Sequence, residues 1–355
     1  MKARAAIGLG LLAALAGGLL LLQRPGPATA TGGAGGGSRL SSSGFAGPRT
    51  CLPCHAQVVA EWEQSMHAAS FTDPQVRAPD QSDDFRKQEC LPCHVSAPIF
   101  EHGIETNSRA LARTERRSDG IDCLSCHGLP GGGVAASRGG LKAPCNPVFR
   151  PELAQHSQCY ACHNQHNTHD EWLASPAAAQ GQDCAGCHMP RVTREGGEAG
   201  APRAGFSHRF LGGRDREYAL AGLELEPAFD PASRRVTVTL TNTFAGHNLP
   251  TDSRNRALDL VLTLYDARGQ PLPPLSPESR EPGSEAGTAR LRFRNPYRSS
   301  GDPNTQLPAG QSAILEIPNV PPEATRASAA LCYKLTPFTP DAEAHWSELR
   351  EFELR

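Results

Sequence analysis

Cysteine and histidine recur in this chain at one fixed spacing: Cys51-Leu-Pro-Cys54-His55, Cys90-Leu-Pro-Cys93-His94, Cys123-Leu-Ser-Cys126-His127, Cys159-Tyr-Ala-Cys162-His163 and Cys184-Ala-Gly-Cys187-His188. Two thiols three residues apart lie on one side of a helical turn. There each can add to one of the two vinyl groups of a porphyrin, while the next residue offers its imidazole to the iron. Cys-x-x-Cys-His is the attachment signature of haem c. With 12 Cys and 13 His in 355 residues, random order gives about 0.015 such strings, so five exclude chance. These residues are predicted to bind five covalent haems c, with His55, His94, His127, His163 and His188 as the proximal iron ligands.

Zinc sites also use Cys-x-x-Cys, but they take such pairs two at a time and do not demand His after every second Cys. A disulfide scaffold gives no reason for the five identically placed His either. Cys145 and Cys332 remain outside the strings, either as a disulfide joining two segments or as two buried thiols.

Successive first cysteines are 39, 33, 36 and 25 residues apart, so little protein serves each haem and the haems must crowd together. After His55, the residues Val58, Val59, Trp62 and Met66 recur on one helical face, and no Gly or Pro follows until Pro74. A continuous helix through His67 is expected. If straight, it separates His55 from His67 by about 18 Å, so His67 should ligate a neighbouring iron. His102, His166 and His169 likewise follow their motif His too closely to loop around the same porphyrin. Met offers little competition, and bis-His iron is favoured. Of the eight other His, five irons can use at most five. His67, His208 and His247 rank first as distal ligands and His169 and His102 next, leaving His156, His166 and His345 structural.

A partial repeat is visible. Glu61-Trp62-x-x-Ser65-x-His67 follows the first string and Glu171-Trp172-x-x-Ser175-x-Ala177 follows the fourth. Packing of each Trp against a haem accounts for the shared pair. Ala177 in place of His suggests that one haem draws its sixth ligand from His169 or keeps an open iron.

Apolar residues make up 38%, below the roughly 45–50% of globular domains, and porphyrins would supply the missing core. Formal charge is −2 with no Lys/Arg run beyond Arg116-Arg117, so nucleic acid is not an expected partner. Lys2 and Arg4 precede an apolar stretch from Ala5 to Leu22, read as an export signal that is either cleaved or retained as a membrane tether. The expected organisation is a signal or anchor over 1–30, a Gly/Ser-rich linker over 31–49, a pentahaem segment over 50–216 and a β-domain over 217–355. The expected location is the periplasm or the extracytoplasmic face of the membrane, with redox proteins or a quinol-linked donor as partners.

From Arg234 the pattern alternates. Strands are predicted at Arg235–Asn242, Ala257–Tyr265, Ala289–Arg294, Ser312–Ile317, Ala329–Leu335 and Ser347–Leu354. Six or seven such strands point to an immunoglobulin-like antiparallel β-sandwich, and hence to an α+β chain with a helical, loop-rich first part.

The chain resembles bacterial multihaem c-type cytochromes, the broad group of the tetrahaem carrier of ammonia oxidisers, pentahaem nitrite reductases and octahaem hydroxylamine oxidoreductases. The likeness covers roughly Thr50 to Asp266. It rests on the five strings, Trp62-x-x-Ser65-x-His67, Gly120-Ile-Asp-Cys123, His188-Met189-Pro190, Ser207-His208-Arg209-Phe210 and Gly246-His247-Asn-Leu-Pro250-Thr251. The resemblance implies distal ligation by His67 and His247. All five strings end in His, whereas the nitrite reductases place Lys in one, and the crosslinking Tyr of hydroxylamine oxidoreductases cannot be located. The expected function is electron transfer along the haem array. The alternative is a terminal reductase or oxidase of a small nitrogen or sulfur species at one open iron.

Overall fold

Each attachment string forms a single helical turn. In the computed structural model these turns open α1 (Leu52–Glu63) and form α3 (Leu91–His94), α5 (Cys123–His127), α7 (Tyr160–His163) and α10 (Cys184–His188). Between them lie α2 (Met66–Ala69), α4 (Ile99–His102), α6 (Pro151–Ala154), α8 (Thr168–Leu173) and α9 (Pro176–Ala179), and α11 (Arg216–Ala221) leads into the strands. The structure describes residues 45, 47–77, 90–103, 110–155, 157–196, 202–251, 254–273, 288–297 and 300–355. The apolar N-terminal stretch, the Gly/Ser-rich linker and His156 lie outside the described residues.

The helix expected to run through His67 breaks earlier. Ser65 is extended (φ −91°, ψ 159°) and caps a new helix, its Oγ accepting the Ala68 N–H at 3.2 Å. His55 is itself non-helical within α1 (φ −131°, ψ 34°). The straight-rise argument for His67 therefore does not apply, and its partner must be read from position.

The second half is a seven-stranded sandwich. Strands β1 (Val134–Ala136), β2 (Pro147–Phe149), β3 (Arg191–Arg194) and β4 (Arg203–Phe206) make two small ribbons in the haem segment. The sandwich uses β5 (Leu223–Asp230), β6 (Arg235–Asn242), β7 (Ala257–Tyr265), β8 (Thr288–Phe293), β9 (Ser312–Ile317), β10 (Arg326–Lys334) and β11 (Trp346–Glu353). One antiparallel sheet has the order β11-β10-β7-β8 and the other β5-β6-β9. Side chains alternate along β6, so Val236, Val238 and Leu240 point inward against Leu260, Leu262, Ala329 and Leu331. Strand β5 was missed in the sequence because Pro227 interrupts it. Pro is tolerated there because β5 is an edge strand.

Strand β7 is buried on both faces. On the face away from the apolar core, Asp259 is flanked by Arg290 (2.6 Å), Arg292 (2.8 Å) and Lys334 (3.0 Å), and Asp341 closes the cluster from the β10–β11 connection. Cys332 pairs in register with Asp259 and is buried as a free thiol. Cys145 is also free, so the two are not joined. Cys51 and Cys54 lie near it.

A short strap joins the two halves. Trp346 Nε1 donates to the Gly213 carbonyl (2.7 Å), His345 Nε2 meets the Arg214 carbonyl (3.1 Å), and Arg214 reaches back to Asp73 (2.6 Å).

Candidate haem-binding site

The partial repeat is a duplicated structural unit in which the shared Trp and Ser have the same tasks. Trp62 Nε1 donates to the Ile121 carbonyl (2.7 Å), and Trp172 Nε1 donates to the Gln182 carbonyl (3.0 Å). Each acceptor stands two residues before the first Cys of an attachment string, Cys123 of the third and Cys184 of the fifth. The Ile121 N–H donates to the His67 carbonyl (2.8 Å), and the Gln182 N–H donates to the Ala177 carbonyl (3.0 Å). Ser65 and Ser175 cap equivalent helices, while Asp122 and Asp183 cap the following attachment turns. Gly120 (φ +59°) and Gly181 (φ +73°) both have positive φ, and a Cβ on Gly120 would collide with the His67 and Ala68 carbonyls. The shared Trp thus positions an attachment turn by hydrogen bonding, a role beyond the packing expected from the sequence.

Glu of each Glu-Trp pair serves a different segment. Glu61 Oε2 accepts the backbone N–H of His208 (2.8 Å), and Arg194 pairs with the same carboxylate (2.6 Å). Glu171 Oε2 accepts the N–H of Asn248 (3.3 Å) and the Thr251 hydroxyl (2.7 Å), fixing the loop that carries His247. Asn242, fully buried at the end of β6, holds the same loop by donating to the His247 carbonyl (3.0 Å) and the Leu307 carbonyl (3.1 Å). Neither Glu nor Asn242 was singled out as a site residue in the sequence, and the repeated Glu-Trp pair was the available signal.

These supports bring imidazoles together across strings. His163 and His67 have ring centres 6.1 Å apart, His127 and His208 6.5 Å, and His188 and His247 6.0 Å with planes within 8° of parallel. Two imidazoles binding one metal from opposite sides, at about 2 Å each, place their ring centres about 6 Å apart. The residues present therefore fit a bis-His iron at three places.

Protonation is consistent with that role. Nδ1 of His127 lies 2.9 Å from the Ala135 carbonyl, that of His208 2.9 Å from Phe206, and that of His247 3.0 Å from Asn248. His94 Nδ1 is 2.7 Å from the Ser70 carbonyl. A proton held on Nδ1 leaves the Nε2 lone pair for a metal. Burial lowers the pKa of His127 and His188 and brings that of His208, with help from the nearby His127, down to about 4, so the rings are neutral. His345 differs, because its Nε2 faces a carbonyl and is spent there.

His102 and His169 are placed otherwise. His102 Nε2 is buried with no hydrogen-bond partner among the described residues. His169 packs with its ring tilted against Tyr160 (4.0 Å) and Trp172 (5.5 Å) beside the fourth string. Neither stands across from a motif imidazole among the described residues.

The thiols also pair across strings. Cys51 lies beside Cys123, and Cys159 beside Cys184, so in each unit the first cysteines of two attachment turns are neighbours. Burial pushes the Cys126 thiol up to about 12. Such a thiol is a poor thiolate donor to a metal. Among the described residues no three His, Cys, Asp or Glu side chains converge as a direct metal site.

Residues 50–128 match the family described as cytochrome c554 and c-prime. Among solved structures, the chain is similar to a penta-haem cytochrome c552 from Thermochromatium tepidum, with a TM-score of 0.61 and 17% identity over 86% of this chain and 98% of that one. A beta-glucuronidase from Parabacteroides merdae aligns over 52% of this chain and 20% of its own, at 14% identity and a TM-score of 0.18, and carries no argument. No curated protein matches the chain.

Proposed function

We propose, from the premise that the chain is a multihaem c-type cytochrome, that it carries five haems c and relays electrons along them outside the cytoplasm, tethered by its N-terminal apolar segment. Haem iron supplies the one-electron couple, and the chain sets spacing, axial ligation and solvent access. The carrying observation is the three imidazole pairs at 6.0–6.5 Å, each joining a motif His to a His from elsewhere in the chain. We assign His67, His208 and His247 as the distal partners of His163, His127 and His188. The Cys51–Cys123 and Cys159–Cys184 contacts support an array built from two closely coupled pairs, with His67 bridging from the first unit to the second.

In this reading the donor is a redox protein or a quinol-linked membrane partner. Pyridine haemochrome analysis of matured protein should give five haems per chain, with mainly low-spin ferric spectra. Fewer than four haems would refute the reading. The enzymatic alternative, reduction or oxidation of a small nitrogen or sulfur species, needs one iron without a second imidazole, and three of the five attachment strings are assigned one.

A further inference from the structure

We propose that Ser70 is the positioning residue of the second haem: it grips His94, the motif imidazole of the second string, at two points and so sets the reduction potential of that haem. The proposal rests on the haem reading above and adds a residue that lies outside every attachment string.

Contacts supply the first argument. The Ser70 carbonyl lies 2.7 Å from His94 Nδ1, and the Ser70 hydroxyl reaches the His94 carbonyl at 2.8 Å. The same hydroxyl is 2.8 Å from the His67 carbonyl and accepts the Ile121 N–H at 3.0 Å. A serine hydroxyl has one proton to give. The His67 carbonyl already accepts the N–H groups of Ser70 (3.3 Å) and Ile121 (2.8 Å), which take up both its lone pairs, so the proton goes to His94. Ser70 is buried, and in a low-dielectric surrounding such bonds hold their geometry.

Duplication supplies the second argument. Ser70 stands three residues after His67, and its counterpart Gln180 stands three after Ala177, each donating its backbone N–H to that residue (3.3 and 3.2 Å). Gln180 runs directly into Gly181, whereas residues 71–119, with the second string among them, stand between Ser70 and Gly120. The excursion returns to where it left, for a Cβ on Gly120 would lie 2.7 Å from Ser70 Oγ. The unit that carries an extra string has a buried Ser at this place, and the unit without one has an exposed Gln. The hydroxyl therefore serves the second string and not the repeat.

Ligand chemistry supplies the third. A carbonyl held against Nδ1–H makes the imidazole a stronger donor through Nε2. Stronger donation favours ferric over ferrous iron and lowers the potential of that haem. Ser70 also closes the helix that carries His67, so one four-residue element is keyed to both the second and the fourth string.

The test uses the full, matured chain, with the five couples read by potentiometric titration in the visible spectrum and the ferric irons by electron paramagnetic resonance. Ser70→Ala should keep five haems, move one couple to higher potential with a shift in one ferric signal, and leave the other four couples in place. Ser70→Thr, which retains the hydroxyl, should restore both readings, and Gln180→Ala should move neither. A Ser70→Ala protein with all five couples unmoved, or a Ser70→Thr protein displaced as far as Ser70→Ala, would overturn the proposal. If Ser70→Ala does not accumulate, Ser70→Cys takes its place with a weaker donor of similar size. A smaller rise of one couple is then expected, and no movement would overturn the proposal. A wild-type haem count below five would defeat the underlying haem reading instead.

Discussion

The two halves of this molecule obtain their interiors from different sources. In the sandwich, a contiguous cluster of 19 buried apolar residues, including Val236, Leu240, Leu260, Leu262 and Leu331, interdigitates between two sheets. In the haem segment the buried cluster is Leu129, Ala135 and Leu153, with Phe100 against it. Burial of apolar surface is the main favourable term in folding, at about 25 cal/mol per Å². A segment in which every helix but the 12-residue α1 is only four to six residues long cannot hold itself together that way, since isolated helices of such lengths are unstable in water. Its order depends on hydrogen bonds donated by Trp62 and Trp172 and accepted by Glu61 and Glu171, and on the groups its cysteines attach. The sandwich is self-sufficient, and it lends the haem segment His247.

The contrast is broken most severely by withholding haem. Expressed where c-type haem is not attached, the full chain should lose ordered structure over residues 50–216 and keep that of the sandwich. Limited proteolysis should then leave a resistant fragment beginning close to Leu223. Digestion of both halves at equal rates would mean that the sandwich does not stand alone.

A smaller effect is expected where the halves meet. Asn242→Ala removes two buried hydrogen bonds and leaves the His247 and Leu307 carbonyls without this donor, at a cost of about 1–3 kcal/mol. Denaturant unfolding should report that loss, and a new high-spin ferric component should accompany it as His247 loosens. Loss of stability with unchanged spin state would confine Asn242 to the sandwich.

The smallest effect concerns the strap. Burial works to raise the Asp73 carboxyl, but the hydrogen bond and charge of Arg214, with the amides of Gln75 and Val76, outweigh it and hold the group below the ordinary carboxylate range. A folded value below the unfolded one contributes stability above about pH 4, which is lost as pH falls through the depressed value. Asp73→Asn should flatten the acid limb of a stability–pH curve slightly. An unchanged limb would show that the strap is held by Trp346 and His345 instead.

Legibility in the sequence followed the same division. Strands β6, β7 and β9 stand where alternation places them, because a two-residue period and a two-layer core dictate each other. Strand β5 alternates equally well, as Leu223, Leu225 and Phe229 testify, and Pro227 obscured it. In the haem segment the attachment strings were plain, since covalent chemistry fixes their spacing. The helix break at Ser65 was not, because Ser followed by Met-His reads equally as helix interior and as a cap. The roles of Glu61, Glu171 and Asn242 depend on contacts 65 to 147 residues apart in sequence, which no local pattern carries.

Iron-edge anomalous scattering from crystals of the matured protein tests the central claim most directly. Five iron peaks are expected, three of them midway between His163 and His67, His127 and His208, and His188 and His247. Iron absent from between those imidazoles, or replaced there by direct ring contact, would contradict it.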